Sequence, residues 1–188
     1  TYYRGRREGG LFLLFFFVSV GFVNGALLSD NLPVMLVFWE GLLLSMSVLL
    51  LIGNLQKPRA AIKLLWLSGI ADLLLMLGVI ITIRVAGQSN LSAISRLPVS
   101  GLGAAGCVLM LLGALGKAGA VPFHSWIPLA AEDAQSPFLA LFPGSLEKIL
   151  GIGLAIRIVT RIYDVQPGSP VSLFLMIIGS MTLFFGVA

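Results

Sequence analysis

Residues 32–53 read LPVMLVFWEGLLLSMSVLLLIG. A helix needs about 20 apolar residues to cross the hydrocarbon core of a bilayer, and this run supplies them with a single charge, Glu40. Glu40 lies about nine residues in, which at 1.5 Å per residue puts it about 14 Å deep, close to the midplane. A lone charge at that depth costs roughly 2.5–3.5 kcal/mol on insertion scales, so it implies a partner or a task in moving ions. A membrane-spanning bundle with charges inside it is the fold this stretch demands.

Working outward, Ser29-Asp30-Asn31 makes a polar turn, and before it residues 10–28 form an aromatic-rich, uncharged span. After it comes a short basic loop, NLQKPR over residues 54–59, then a span over 61–83 with Lys63 near its entrance and Asp72 near its middle. Residues 85–100 are polar enough for a surface connection, with room for one short interfacial helix. A fourth span covers about 101–121, carries Lys117 and meets Pro122. Residues 122–136 hold Pro122, Pro128, Trp126, His124, Glu132 and Asp133, a mixture expected at the interface. A fifth span over 137–162 is interrupted at Pro143-Gly144, and a sixth begins near Ser169. The expected fold is an all-α polytopic bundle of about six helices, broken near Lys117–Pro122 and near Pro143–Gly144. The whole chain, 1–188, reads as one partial transmembrane domain cut from a larger protein.

Composition supports this class. Of 188 residues, 58% are hydrophobic and 11% charged, against about 25% charged in soluble domains. Mean hydropathy is +1.03. The net charge of +4 sits mostly at helix ends, where it sets topology and meets headgroups, so no nucleic-acid partner is implied. Arg4, Arg6, Arg7, Lys57 and Arg59 fall on one side and Arg84, Arg96, Arg157 and Arg161 on the other, favouring a cytoplasmic N-terminus. The single cysteine, Cys107, among small residues, reads as buried filler and excludes an internal disulfide.

The chemistry-bearing candidates are the charges inside apolar runs. Glu40 is one. Lys117 is another, in GALGKAGAVPFHSW, where Gly113, Gly116 and Gly119 clear one side for close helix approach. Pro122 lacks an amide hydrogen, and broken backbone at membrane depth is tolerated where it lines protein or water. Lys148 follows the Pro143-Gly144 weakness, with Glu147 beside it and turned about 100° away. Of those two, Lys148 is expected to titrate. Asp72 is deep and needs a partner from another helix, and Lys63 is expected to snorkel. His124 with Glu132 and Asp133 shows no metal-ligand spacing, so an interfacial hydrogen-bonding role is expected. No metal and no cofactor is expected in this chain. The proton relay expected from the residues is Glu40, Lys117 and Lys148, with Asp72, His124 and Glu147 as accessories.

The order SDNLPVMLVFWE, a span ending near LGV, then GKAGAVPFHSWIPLAAEDAQSPFLAL resembles the proton-translocating antiporter-like membrane subunits. That family includes the large antiporter-like subunits of respiratory complex I (the NADH:quinone oxidoreductase), Mrp-type sodium/proton antiporters and energy-converting membrane-bound hydrogenases. The resemblance implies helices four to nine of a longer inverted-repeat bundle. It implies that Glu40 is the family's fifth-helix glutamate and Lys117 its partner lysine on a broken helix, with His124 in the Pro-Phe-His-Ser-Trp stretch. Pro143 stands where many relatives have a histidine, and Leu146-Glu147-Lys148 where many have Met-Val-Lys, so Lys148 is taken as the substitute relay group. The PGSLEKILGI form is similar to the hydrogenase-linked branch. By this resemblance the chain translocates H⁺ or Na⁺, expected to be H⁺, as a subunit of a redox-driven oxidoreductase in a prokaryotic inner membrane. Its partners would be other membrane subunits and the lipid bilayer. Two other readings stand beside it: an Mrp-type antiporter with no redox partner, and a structural scaffold.

Overall fold

A computed structural model describes residues 9–53, 58–133 and 136–187. Arg4, Arg6, Arg7 and Lys57, used above for orientation, lie outside the described residues.

The helices are α1 (Gly9–Leu28), α2 (Leu32–Gly53), α3 (Arg59–Ala86), α4 (Gly101–Lys117), α5 (Trp126–Asp133), α6 (Ser136–Leu141), α7 (Glu147–Arg157) and α8 (Pro170–Val187). Among the described residues, four helical runs are long and apolar enough to cross a membrane: Gly9–Leu28, Leu32–Ile52, Arg59–Ala86 and Phe138–Ile162. Gly101–Lys117 and Pro170–Gly186 are shorter apolar helices, which completes the expected set of about six. Leucine, phenylalanine and isoleucine side chains project outward from α1, α3, α7 and α8, as they must where lipid or another apolar surface is the neighbour. The chain is an integral membrane protein.

Small residues decide how closely these rods approach. α1 and α2 interlock reciprocally: a Cβ on Gly25 would lie 2.5 Å from the Phe38 ring, and one on Gly41 would lie 2.5 Å from Phe22. Ser19 Oγ and Ser45 Oγ share a hydrogen bond of 2.8 Å across the same interface. α3 and α4 lie closer still. A Cβ on Gly78 would meet the Met110 amide at 2.6 Å, one on Gly116 would meet Ala71 Cβ at 2.5 Å, and Gly113 sits against Leu75 and the Ala71 carbonyl. Gly151 does the same for α7, its face pressed on Ala114 O and Ala118 N of α4.

One end of the bundle is tied by polar contacts. Asp30 accepts hydrogen bonds from the Ser92 amide (2.8 Å) and hydroxyl (2.6 Å), and Asn31 Nδ2 donates to Asn90 Oδ1 at 2.8 Å. Residues 85–100 form no interfacial helix. α3 runs on to Ala86, ends on Gly87 with a φ of 68°, and the connection then makes a turn and the two-residue strand β1 (Leu97–Pro98). β1 pairs in parallel with β2 (Tyr163–Asp164), the one strand pair in an otherwise helical chain among the described residues. Tyr163 is fully buried, its hydroxyl 2.8 Å from Thr82 Oγ1.

Two interruptions differ from their expected form. α4 ends at Lys117 and not near Val121, because Gly119, at φ 79°, closes a Schellman turn. The Ala120 amide donates to Leu115 O at 2.9 Å and the Gly119 amide to Gly116 O at 3.1 Å. Gly119 therefore serves the turn, while Gly113 and Gly116 serve the α3 contact. At Pro143 the rod does not break; it widens into a π-helical stretch, Phe142–Leu146, and continues as α7. Residues 122–133 also differ from an interfacial segment. Phe123–Ser125 form a 3₁₀ turn, and α5 packs on α3 with Trp126 and Ala130 buried. α4 and α5 are thus two halves of one interrupted helix beside α3.

Candidate functional site

The interruption places Lys117 at the last position of α4, inside the bundle. Its side chain is 0% exposed and that of its partner, Asp72, is 2% exposed. Lys117 Nζ donates to Asp72 Oδ2 at 2.9 Å, and Trp39 Nε1 donates to Asp72 Oδ1 at 2.6 Å. Nζ also lies 5.4 Å from the centroid of the Trp39 ring. One carboxylate therefore holds a donor from α2 on one oxygen and the ammonium from α4 on the other. Asp72 occupies the middle of the 28-residue α3, so the pair sits at mid-depth.

Each element contributes for a physical reason. The helix end gives the ammonium a favourable partial negative charge from the last carbonyls, an effect confined to the final turn. Gly113, Gly116 and Ala71 let α4 approach α3 closely enough for a direct salt bridge. Trp39 is wholly buried, and its indole N–H needs an acceptor there, which Asp72 provides.

Glu40 is not the ion-pair partner of Lys117. It follows Trp39, and one residue of helix turns it about 100° away from the Trp39–Asp72 contact. Half-buried, it opens onto an apolar groove of about 360 Å³ lined by Leu65, Trp66, Gly69, Ile70, Leu73 and Met76. It still feels the charges of Asp72 and Lys117.

Lys148 and Glu147 exchange the places expected of them. Lys148 is exposed, and Glu147 is buried to 2%. Glu147 Oε1 has no hydrogen-bond partner among the described residues. The charges of Lys117, Asp72 and Lys148 all act on it. Glu147 lies one turn before Gly151, the residue pressed on Ala114 and Ala118, so it faces the end of α4 that carries Lys117. The reason for the exchange is the π-helical stretch at Phe142–Leu146. One extra residue in a turn rotates everything after it by about 100°, enough to bring 147 inward in place of 148.

His124 stands in the 3₁₀ turn, half-buried, with Nδ1 sheltered and without a hydrogen-bond partner. Glu132 is exposed at the far end of α5. Lys63 is half-buried near the start of α3. Cys107 is fully buried against the core and makes no disulfide. The site is therefore Trp39, Asp72, Lys117 and Glu147 in the interior, with Glu40 at its margin. Reading the sequence undervalued Asp72 and Glu147. The signal for Asp72 was its depth in α3 opposite a glycine-lined lysine; for Glu147 there was none without the helical phase.

Comparison with known proteins gives this geometry its relatives. The family described as NADH:quinone oxidoreductase/Mrp antiporter, TM, matches residues 29–188. The D subunit of a Na⁺/H⁺ antiporter from Alkalihalophilus pseudofirmus is 30% identical over 186 residues, covering 96% of this chain and 37% of the relative. NADH-ubiquinone oxidoreductase chain 5 of Chlamydomonas reinhardtii is 31% identical, over 93% of this chain and 30% of its own length. Among solved structures, the Mrp complex from Dietzia sp. DQ12-45-1b superposes with a TM-score of 0.79 at 25% identity, over 90% of this chain and 32% of that one. A chain of respiratory complex I from Thermus thermophilus shares the fold at a TM-score of 0.72 and 24% identity, over 88% of this chain and 36% of that one. The chain thus spans about a third of the length of the proteins it matches. With a broken helix, a mid-depth lysine and this match over most of its length, the chain belongs to the NADH:quinone oxidoreductase/Mrp antiporter transmembrane family.

Proposed function

We propose that this segment carries part of an ion path, with H⁺ as the ion, in an antiporter-like subunit of a multisubunit membrane complex. The observation that carries the proposal is the Lys117–Asp72 pair, buried at mid-depth where α4 stops. A bundle of this size packs well through glycine and apolar contacts alone, and replacing buried ion pairs by apolar groups is often neutral or stabilising. A pair retained at the end of a broken helix, beside an unpartnered carboxylate, is arranged for exchange.

In the proposed cycle Lys117 is held protonated by Asp72, whose second oxygen is fixed by Trp39. A charge arriving in the groove beside Glu40 changes the field at Asp72 and Lys117. Lys117 Nζ then turns from Asp72 toward Glu147 and gives one of its protons to that carboxylate, leaving a neutral amine and a neutral acid. Glu147 passes the proton on toward the exposed end of α7 near Lys148, and Lys117 is reprotonated from the other side. Two unit charges 4 Å apart interact by on the order of 4 kcal/mol at an effective dielectric of about 20, enough to change which group holds the proton. The groups titrate as a set. Glu40 takes the part of sensor, and Lys148 that of an outer acceptor.

Whether the parent complex is redox-driven, as the NADH-oxidoreductase relatives' names state of them, or a cation/proton antiporter, as the Na⁺/H⁺ antiporter relatives' names state, is decided outside these residues. We place the protein in a prokaryotic inner membrane among other membrane subunits. The test is proton uptake into vesicles containing the full-length protein in its assembled complex. Lys117→Ala should lower uptake at least tenfold while assembly persists; unchanged uptake would leave the scaffold reading in its place.

A further inference from the structure

At the end of the bundle away from the ion-pair end of α4, a pocket of about 190 Å³ is lined by Leu28, Ser29, Asp30, Leu91, Ser92, Arg157 and Arg161. Its charges do not cancel. The Asp30 carboxylate is occupied by the Ser92 amide and hydroxyl on separate oxygens. Arg157 donates one N–H to the Leu27 carbonyl, which leaves most of its five donors free. The Arg161 side chain has no polar partner among the described residues and is exposed. Two guanidinium groups thus converge on a small concavity at the level where the helices leave the membrane.

What lies below the pocket is apolar. Ile149, Gly153, Arg157 and Arg161 recur at intervals of four along one face of the rod, with Ile152 and Ile156 beside them. Ile149, Ile152 and Ile156 are about half exposed, and Leu28 at the rim is 83% exposed. Gly153 leaves a shallow furrow against Leu27 of α1. A cationic mouth over an apolar strip about two turns long matches the two parts of a phospholipid.

We propose that this pocket binds the phosphate headgroup of an anionic phospholipid, with an acyl chain laid along Ile149, Ile152 and Ile156. Arginine suits the task because its planar fork bonds two phosphate oxygens at once. The net positive pocket favours an anionic headgroup over a zwitterionic one, whose ammonium would meet Arg161. The bound lipid would fasten α1 to α7 at the end where the 29–31 turn and residues 91–92 also meet.

The experiment uses the full-length protein in its assembled complex, extracted in detergent and titrated with phosphatidylglycerol, phosphatidylcholine or inorganic phosphate, with bound lipid counted by native mass spectrometry. The parent protein should retain phosphatidylglycerol in preference to phosphatidylcholine. Arg161→Ala should reduce that retention about fivefold, the order expected for one headgroup contact, and Arg161→Lys should restore part of it. Arg157→Ala is less decisive, since Arg157 also holds the end of α1. Equal retention by the parent and Arg161→Ala overturns the proposal. So does equal retention of the two lipids, or displacement of the lipid by millimolar inorganic phosphate, which would mark a site for the free anion.

Discussion

Two buried contacts to one carboxylate, and a second carboxylate without a partner, define the site at the residue scale. Removing one member of the Lys117–Asp72 pair strands the other charge in the interior, a loss of about 3–5 kcal/mol. Lys117→Ala and Asp72→Asn should therefore each reduce the yield of thermally stable complex, and Lys117→Met combined with Asp72→Leu should recover most of it. Melting curves of the four proteins check this, and a double variant weaker than either single one would count against the pairing. Trp39→Phe keeps the ring and deletes the indole N–H, at about 1.5–3 kcal/mol for a bond to a charged group. Thermal unfolding should show a loss in that range; no shift would mean that Trp39 contributes only bulk. Glu147→Gln should cut proton uptake at least tenfold, while Lys148→Gln should stay within about twofold of the parent. The opposite ranking would return the relay to Lys148.

Helical phase is the lesson at the scale of the element. The end of α4 is legible in GKAGAVP, because a glycine after the last turn followed by a proline is the sequence of a Schellman stop. Reading it fully would have ended the helix at Lys117, where the structure ends it. The π-helical stretch is not legible in the same way. Pro143 announces a disturbance, but a kink, a break and an inserted residue share that signal and differ in which later side chain faces inward. That is why Lys148 stood out in the sequence and Glu147 proved to be the buried one. Gly119 adopts a φ of 79°, which costs a residue with a Cβ roughly 1–2 kcal/mol. Gly119→Val should shift the melting temperature downward and blunt ion flux by moving Lys117, whereas Gly10→Ala, with nothing within 4 Å, should alter neither. Equal effects at both positions would show that the turn has no special role.

For the whole molecule, the spans, the all-α class and the family were carried by hydropathy and by two motifs. Pairing across helices was not, because Glu40, Asp72, Lys117 and Glu147 come from four different rods whose rotations no local pattern fixes. The scheme expected Glu40 against Lys117; packing of α4 onto α3 through Gly113 and Gly116 gives Lys117 to Asp72 and leaves Glu40 at an open apolar groove. That position makes Glu40 the group through which a neighbouring subunit would address the interior. The most direct measurement is proton uptake by reconstituted complex carrying Lys117→Met together with Asp72→Leu, a replacement that removes both charges and keeps the volume. Assembly near the parent level with uptake lost is the expected result; uptake at the parent rate would contradict an ion path through this pair.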